Sequence, residues 1–156
     1  MQRYIKMRTK QNNSHFFLYY SRFAVPLHPQ NVIKMKDICC IGHVTKDKIV
    51  TPSSTVYMAG GTSFYFAYAI NQLPKDVSFS LITAMDPTEK EPVEKMLKAG
   101  IDVTLNPSRN TVFFENIYGD NPNDRKQRVL AKADPFTIQQ LEHVEAKVFH
   151  LGSLLS

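Results

Sequence analysis

Cysteine and tryptophan are scarce in this 156-residue chain, which has two cysteines and no tryptophan. The two cysteines, Cys39 and Cys40, are adjacent, and neighbouring residues of a strand point to opposite faces, so a disulfide between them would be strained. No C-x-x-C motif accompanies them, so no metal site is predicted. We expect both to be buried as small apolar side chains in a protein of the reducing cytoplasm.

Long hydrophobic runs are also missing, since no apolar stretch reaches the roughly 18 to 20 residues of a membrane span. Acidic residues are absent from residues 1–34, which hold six of the 19 basic residues and none of the 14 acidic ones. The net charge of +5 therefore belongs to this leader, and a nucleic-acid-binding face is not expected. We predict that residues 1–34 are either disordered or spurious upstream sequence, and that residues 35–156 form the domain.

From Asp37 onward the apolar pattern alternates between strand and helix. The predicted elements are a strand at Ile38–Ile41, a hairpin of Lys48–Val50 with Thr55–Met58, a helix at Thr62–Leu73, a strand at Ser78–Thr83, a helix at Pro87–Ala99 and a strand at Ile101–Leu105. The second helix places Val93, Met96 and Leu97 on one face. This alternation predicts an α/β domain with a mostly parallel sheet.

The pattern then changes to a long β-hairpin over residues 111–133, with turn residues at 119–124 between its strands. Asp134 and Pro135 predict a helix start, with Asp134 as N-cap and Pro135 at the first helical position. A last strand at Val148–Leu151 follows. We expect its outer edge to be unpaired.

Two short segments could bind a ligand. Asp47 follows the first strand, where ligands bind in open α/β sheets, and its carboxylate could accept hydrogen bonds from two neighbouring hydroxyls. Gly60, Gly61 and Thr62 open a helix, where exposed N–H groups attract oxygen-rich groups. Each has a simpler alternative, a solvated turn aspartate and a tight turn. A G-x-G-x-x-G motif and a Walker A motif are both missing, which disfavours a dinucleotide-binding domain.

In their order and spacing, the Gly42–Asp47 segment, the β-prone pair, the Gly60-Gly61 helix start and the 111–133 hairpin resemble the first half of the PfkB/ribokinase-like carbohydrate kinase family. The resemblance covers Lys36 to Ser156. It implies a ribokinase-like fold, with a partial parallel sheet flanked by helices and a β-hairpin lid formed by strands near 48–58 and 111–133. It also implies substrate contacts from Asp47, Gly60 and Gly61, to which we add Thr62 and, from the lid, Glu115 as further candidates.

Two departures from the family pattern qualify this resemblance. Phe64, Tyr65 and Phe66 stand where family members often have asparagine, which favours a different or bulkier substrate. The family's Gly-Ala-Gly-Asp signature, which supplies the catalytic base and the anion hole, does not occur in this sequence. The segments that would bind ATP and Mg²⁺ are absent with it, so we expect a chain without the C-terminal half and with no catalytic residue of its own.

The resemblance thus implies the substrate-binding half of an ATP-dependent kinase that phosphorylates a sugar or sugar-like hydroxyl and is inactive alone, with a sugar or nucleoside-like small molecule as its partner. A homodimer formed through the lid is a further expectation, whereas nucleic-acid and membrane partners are not expected. The alternative is a non-catalytic truncated fragment that acts as a binding or interaction module.

Overall fold

The computed structural model describes residues 17–20, 23–26, 35–74, 76–121 and 123–152. The chain divides into two compact units, Met1–Lys34 and Met35–Ser156. In the first unit, strands β1 (Phe17–Tyr20) and β2 (Phe23–Pro26) form an antiparallel hairpin. Most of the predicted leader lies outside the described residues, so its disorder or spurious origin stays a prediction.

The second unit alternates strands and helices, much as predicted. Its strands are β3 (Lys36–Ile41), β4 (Thr45–Val50), β5 (Thr55–Gly60), β6 (Phe79–Met85), β7 (Val103–Pro107), β8 (Phe113–Tyr118), β9 (Arg125–Ala131) and β10 (Ala146–Leu151). Its helices are α1 (Thr62–Ile70), α2 (Glu91–Lys98) and α3 (Ile138–Leu141), with a 3₁₀ turn at Pro87–Glu89. Among the described residues no helix is both long and apolar enough to cross a membrane.

The unit contains two four-stranded sheets. In the first sheet the order is β10-β3-β6-β7 and every pairing is parallel, which confirms the predicted α/β architecture. In the second sheet the order is β5-β4-β8-β9. Here the two predicted hairpins, β4–β5 and β8–β9, are joined edge to edge by a parallel pairing of β4 with β8.

Apolar residues cover both faces of the parallel sheet. Cys40 packs in one cluster with Leu81 of β6, Ala67 of α1 and Met96 of α2, whereas Cys39 packs in another with Ile41 and Ile82. Both cysteines are fully buried, as predicted. They lie on opposite faces of β3 because successive side chains of a strand alternate between its two faces. This burial raises the pKa of both thiols.

The helix predicted over Pro87–Ala99 is interrupted. Asp86 caps the short 3₁₀ turn by accepting a hydrogen bond from the Thr88 backbone N–H (2.8 Å), and α2 begins only at Glu91. Pro92 explains the break, since a proline ring clashes with the carbonyl four residues earlier and is tolerated only in the first turn of a helix. Val93 and Met96 are buried as predicted, but Leu97 is 49% exposed and does not belong to the core face.

The helix start predicted at Asp134 and Pro135 is wrong. The N-cap of α3 is Thr137, which forms a reciprocal capping box with Gln140. Asp134 instead accepts hydrogen bonds from the backbone N–H and the Nε of Arg109, both at 2.8 Å. The chain remains non-helical through Phe136, whose ring packs on the cluster around Cys39 and stacks on His43 at 5.2 Å.

Candidate functional site

The sequence suggested that Asp47 lies in an exposed loop after the first strand. In the structure it lies on strand β4 instead. Only three residues separate the end of β3 at Ile41 from the start of β4 at Thr45, so the loop between the two strands is short. The side chain of Asp47 is half-buried, and its Oδ1 accepts a hydrogen bond from Thr45 Oγ1 (2.7 Å). This contact orients the carboxylate and leaves it further lone pairs for a ligand.

Gly60 is brought against Asp47 by the pairing of β4 with β5, in which Thr45 lies opposite Gly60 and Asp47 opposite Met58. A Cβ atom on Gly60 would lie only 2.5 Å from Oδ2 of Asp47. The glycine therefore leaves the space that the carboxylate occupies. Asp47 and Gly60, 13 positions apart in sequence, form one local site.

Gly61 has a different role from its neighbour. It is the N-cap residue of α1 with φ 93°, in the left-handed region that favours glycine. A Cβ atom there would lie 2.7 Å from the backbone oxygen of His43, so no side chain fits. Thr62 follows as the first residue of α1 and is exposed. The helix N-terminus thus directly follows the strand that carries Gly60.

An open groove of about 770 Å³ contains Asp47 and runs along one face of the second sheet. Its lining comprises Asp47, Ile49, Thr51, Met58, Tyr65, Asn116, Tyr118, Gly119, Asp120 and Arg125. Successive side chains of a strand point to opposite faces, so every second residue lies on the same face. Asp47 and Ile49 of β4 therefore share the groove with Asn116 and Tyr118 of β8. A groove of this size with a few polar groups is typical of a small-molecule site.

Of the three consecutive aromatic residues in α1, only Tyr65 lines this groove. Tyr65 is 54% exposed, whereas Phe64 and Phe66 pack against the core cluster around Cys40. The position at which the sequence departs from the family pattern therefore places a phenol ring beside the candidate site.

Several groove residues were not predicted as site residues. Asn116 is buried, and its Oδ1 accepts a hydrogen bond from Gln127 Nε2 (2.8 Å) on the adjacent strand. Tyr118, Asp120 and Arg125 come from the turn end of the β8–β9 hairpin. The period-two alternation of β8 would have placed Asn116 and Tyr118 on one face, but it does not reveal that this face is the one with Asp47.

Glu115 is not brought together with the other candidates. It lies one residue from Asn116 and is not among the residues that line the groove. Gly60, Gly61 and Thr62 do not line the groove either, so Asp47 is the one predicted substrate contact that does. Lys48 Nζ binds its Oε1 (2.9 Å), and Arg128 binds its Oε2 through Nε (2.9 Å) and a second guanidinium nitrogen. The Lys48 ammonium and then the Arg128 guanidinium lower the pKa of the Glu115 carboxyl. Its role as a substrate contact stays a prediction that these contacts do not favour.

The chemistry available in the groove is that of binding and positioning. Asp47 supplies acceptors for hydroxyl groups, Asn116 supplies an amide, and Arg125 supplies donors. Within residues 35–74, 76–121 and 123–152, no three histidine, cysteine, aspartate or glutamate side chains are grouped so that they could hold a metal ion.

Comparisons with known proteins give a consistent result at the level of structure. No protein-family model and no curated protein matches the sequence. The structure is similar to a pyrophosphate-dependent kinase of the ribokinase family complexed with a pyrophosphate analog and myo-inositol, at 27% identity and TM-score 0.61. That match covers 74% of this chain and 39% of that chain.

Two further solved structures agree. A sulfate complex of a pyrophosphate-dependent kinase in the ribokinase family matches at 26% identity and TM-score 0.61, over 74% of this chain and 40% of that chain. A ribokinase from Giardia lamblia matches at 14% identity and TM-score 0.59, over 70% of this chain and 37% of that chain. The predicted resemblance and the predicted ribokinase-like fold are thereby confirmed, and the chain spans about two-fifths of the length of the kinases that it matches.

Proposed function

We propose that this chain, which has the ribokinase-like fold over the part that matches these kinases, binds the hydroxyl-bearing acceptor of a phosphoryl-transfer reaction in the groove at Asp47. The observation that carries the proposal is the close approach of Asp47 to Gly60, which leaves room for a half-buried carboxylate in a space that any larger residue at position 60 would fill. A carboxylate held in this way forms stronger hydrogen bonds with two neighbouring hydroxyls of a sugar or cyclitol than water molecules form with them.

The contribution of this chain is positioning. Asp47 orients the acceptor, and the second sheet excludes water from one side. Holding a hydroxyl in a reactive geometry contributes a large part of the rate enhancement of many enzymes. The phosphoryl donor is ATP, as the family resemblance implies, or pyrophosphate, on which two of the similar kinases depend. No step of the transfer itself is assigned to the described residues.

The second candidate function, a non-catalytic binding or interaction module, is favoured by strand β10. This strand lies at the edge of the parallel sheet, and its Val148, Phe149 and Leu151 side chains are about half exposed or more. An exposed apolar edge strand is a common site for pairing with another chain.

A binding titration separates the two functions. We would follow amide shifts of the ¹⁵N-labelled full chain by NMR while adding myo-inositol, ribose or inosine. Saturable shifts are expected around Asp47, Gly60 and Asn116 with at least one of the three compounds. The variant Asp47→Asn should weaken binding about tenfold or more, since it removes a charged acceptor. The matched control is Asp76→Asn, an exposed aspartate in the turn before β6.

Absence of any saturable shift with all three compounds would contradict acceptor binding and favour the interaction module. A second measurement addresses activity: with ATP or pyrophosphate, Mg²⁺ and the bound compound, we expect no phosphoryl transfer by this chain alone. Turnover in that assay would show that the catalytic base lies within these 156 residues.

A further inference from the structure

The groove has two chemically different ends. Asp47 lies at one end, and Arg125 at the other, where it begins β9 directly opposite Tyr118. Asp47 pairs with Phe114 across β4 and β8, and Tyr118 is four residues further along β8. At about 3.4 Å per residue and about 4.8 Å between strands, Asp47 and Arg125 are separated by about 14 Å along the strands and about 10 Å across them. The two side chains are too far apart to hold the same pair of hydroxyls.

Two cations of the second sheet, Arg125 and Lys126, form no ion pair with the described residues, and of these two only Arg125 lines the groove. Lys46 binds Glu89, and both Lys48 and Arg128 bind Glu115. Arg125 forms no ion pair with any carboxylate of the described residues, although Asp120 lines the same groove. Its guanidinium is therefore available to a ligand, and its planar set of donors matches a carboxylate or a phosphate group.

Two of the side chains that line the groove are aromatic. Tyr118 lies beside Arg125, and Tyr65 reaches the groove from α1. Tyrosine rings offer apolar faces to the body of a ligand together with a polar hydroxyl tip. A ligand that fills the groove would thus have apolar ring faces to pack against as well as polar groups at its ends.

We propose that the acceptor of this chain carries an anionic group, a carboxylate or a phosphate, at the end opposite to the hydroxyls held by Asp47. This inference rests on the proposed function and specifies its substrate class as sugar acids or sugar phosphates. The Asp47 carboxylate repels an anion from its own end and the Arg125 guanidinium attracts it to the other, so the two charges define one orientation of the bound molecule. Asp120 opposes this attraction, and its removal should strengthen anion binding.

The test compares three probes of similar size: gluconate, glucose 6-phosphate and the neutral polyol sorbitol. Each is titrated into the full chain at low ionic strength and followed by NMR. We expect at least one of the two anions to bind about tenfold more tightly than sorbitol. Which of the two binds more tightly distinguishes a carboxylate-bearing from a phosphate-bearing acceptor.

Variants assign the preference to the guanidinium. Arg125→Gln should reduce anion binding about tenfold to the level of sorbitol, with no change for sorbitol itself. Lys126→Gln is the matched control, because it removes the same charge from the next residue of β9, whose side chain points to the opposite face. Asp120→Asn should tighten anion binding about twofold to threefold. Circular dichroism of each variant checks that the fold is retained.

The possible failures are distinguishable. Equal binding of sorbitol and both anions, with all of it lost in Asp47→Asn, would overturn the anionic substrate class and leave acceptor binding standing. An anion preference that Lys126→Gln removes as strongly as Arg125→Gln would overturn the assignment to Arg125. If none of these probes and none of the neutral compounds tested for the proposed function binds, both proposals fail together.

Discussion

The replacement of Gly60 by alanine is the sharpest test of the site, because it alters Asp47 without touching its chemistry. A Cβ atom on Gly60 would lie 2.5 Å from Oδ2 and 2.9 Å from Cγ of Asp47. Favourable contacts between such atoms need about 3.5 Å, so the carboxylate must move by about 1 Å. Gly60 does not have a positive φ, and the alanine backbone is therefore unstrained.

The expected loss concerns binding more than folding. A displaced carboxylate loses its alignment with ligand hydroxyls, which corresponds to about 1.5 to 3 kcal/mol for a charged hydrogen bond, or about tenfold to a hundredfold in Kd. Folding loses the hydrogen bond from Thr45, about 1 kcal/mol. It gains a similar amount, about 0.4 to 1 kcal/mol, because alanine restricts the unfolded chain more than glycine does. The Tm should therefore change by a few degrees at most.

A double-mutant cycle shows whether the effect passes through Asp47. Kd for the best-binding polyol or sugar derivative is measured by NMR titration for the unmodified chain, Gly60→Ala, Asp47→Ala and the double variant, and Tm is measured by circular dichroism. We expect Gly60→Ala to have little effect when Asp47 is already alanine, since nothing remains to be displaced. A folded Gly60→Ala variant with unchanged Kd, or an equal loss in both backgrounds, would refute the reasoning.

Four further predictions concern the rest of the molecule. Gly61→Ala should lower the free energy of unfolding by about 2 kcal/mol or more, because of strain at φ 93° and contact with the His43 carbonyl. Gly100→Ala has φ 85° but open space around it and should cost only about 1 kcal/mol, so equal losses in urea unfolding would contradict the steric argument. Lys48 and Arg128 hold the pKa of Glu115 below its usual 4.5, so the stability that this carboxylate contributes is present above that pH and is lost as the pH falls below it. Glu115→Gln should therefore reduce the fall in Tm between pH 6 and pH 3, and an unchanged dependence of Tm on pH would argue against the ion pairs. A chain that begins at Met35 should melt within a degree or two of the full chain, and a drop of several degrees would show that residues 1–34 stabilise the domain. Residues 35–156 should self-associate in size-exclusion chromatography with light scattering, since β10 exposes its edge and Leu151 is 65% exposed; a monodisperse monomer with a cooperative melt would rule this out.

Local sequence patterns were sufficient for most of the elements of the second unit. The apolar runs at Ile38–Ile41 and Ser78–Thr83 correspond to β3 and β6, and the turn residues at 119–124 separate β8 from β9. Gly60 and Gly61 mark the start of α1 in the structure as in the sequence. These features depend on side-chain period and on turn chemistry, which act within a few residues of one another.

Where local signals competed, the prediction failed. Asp134-Pro135 and Thr137 with Gln140 are both reasonable helix starts, and the packing of Phe136 against the core favours the second. Pro87 and Pro92 are both acceptable in a first helical turn, but one continuous helix cannot contain both, so the chain forms a 3₁₀ turn and then α2.

The sequence by itself determined the α/β architecture of residues 35–156, the two hairpins and the glycine pair beside the site. Only the tertiary structure decided which side chains share the groove. The parallel pairing of β4 with β8 joins residues 67 positions apart, places Asn116 beside the face of Asp47 and turns Glu115 away towards Lys48. Strand register of this kind depends on contacts between distant segments, and a shift by one residue would exchange the two faces, so no local pattern in the chain specifies it.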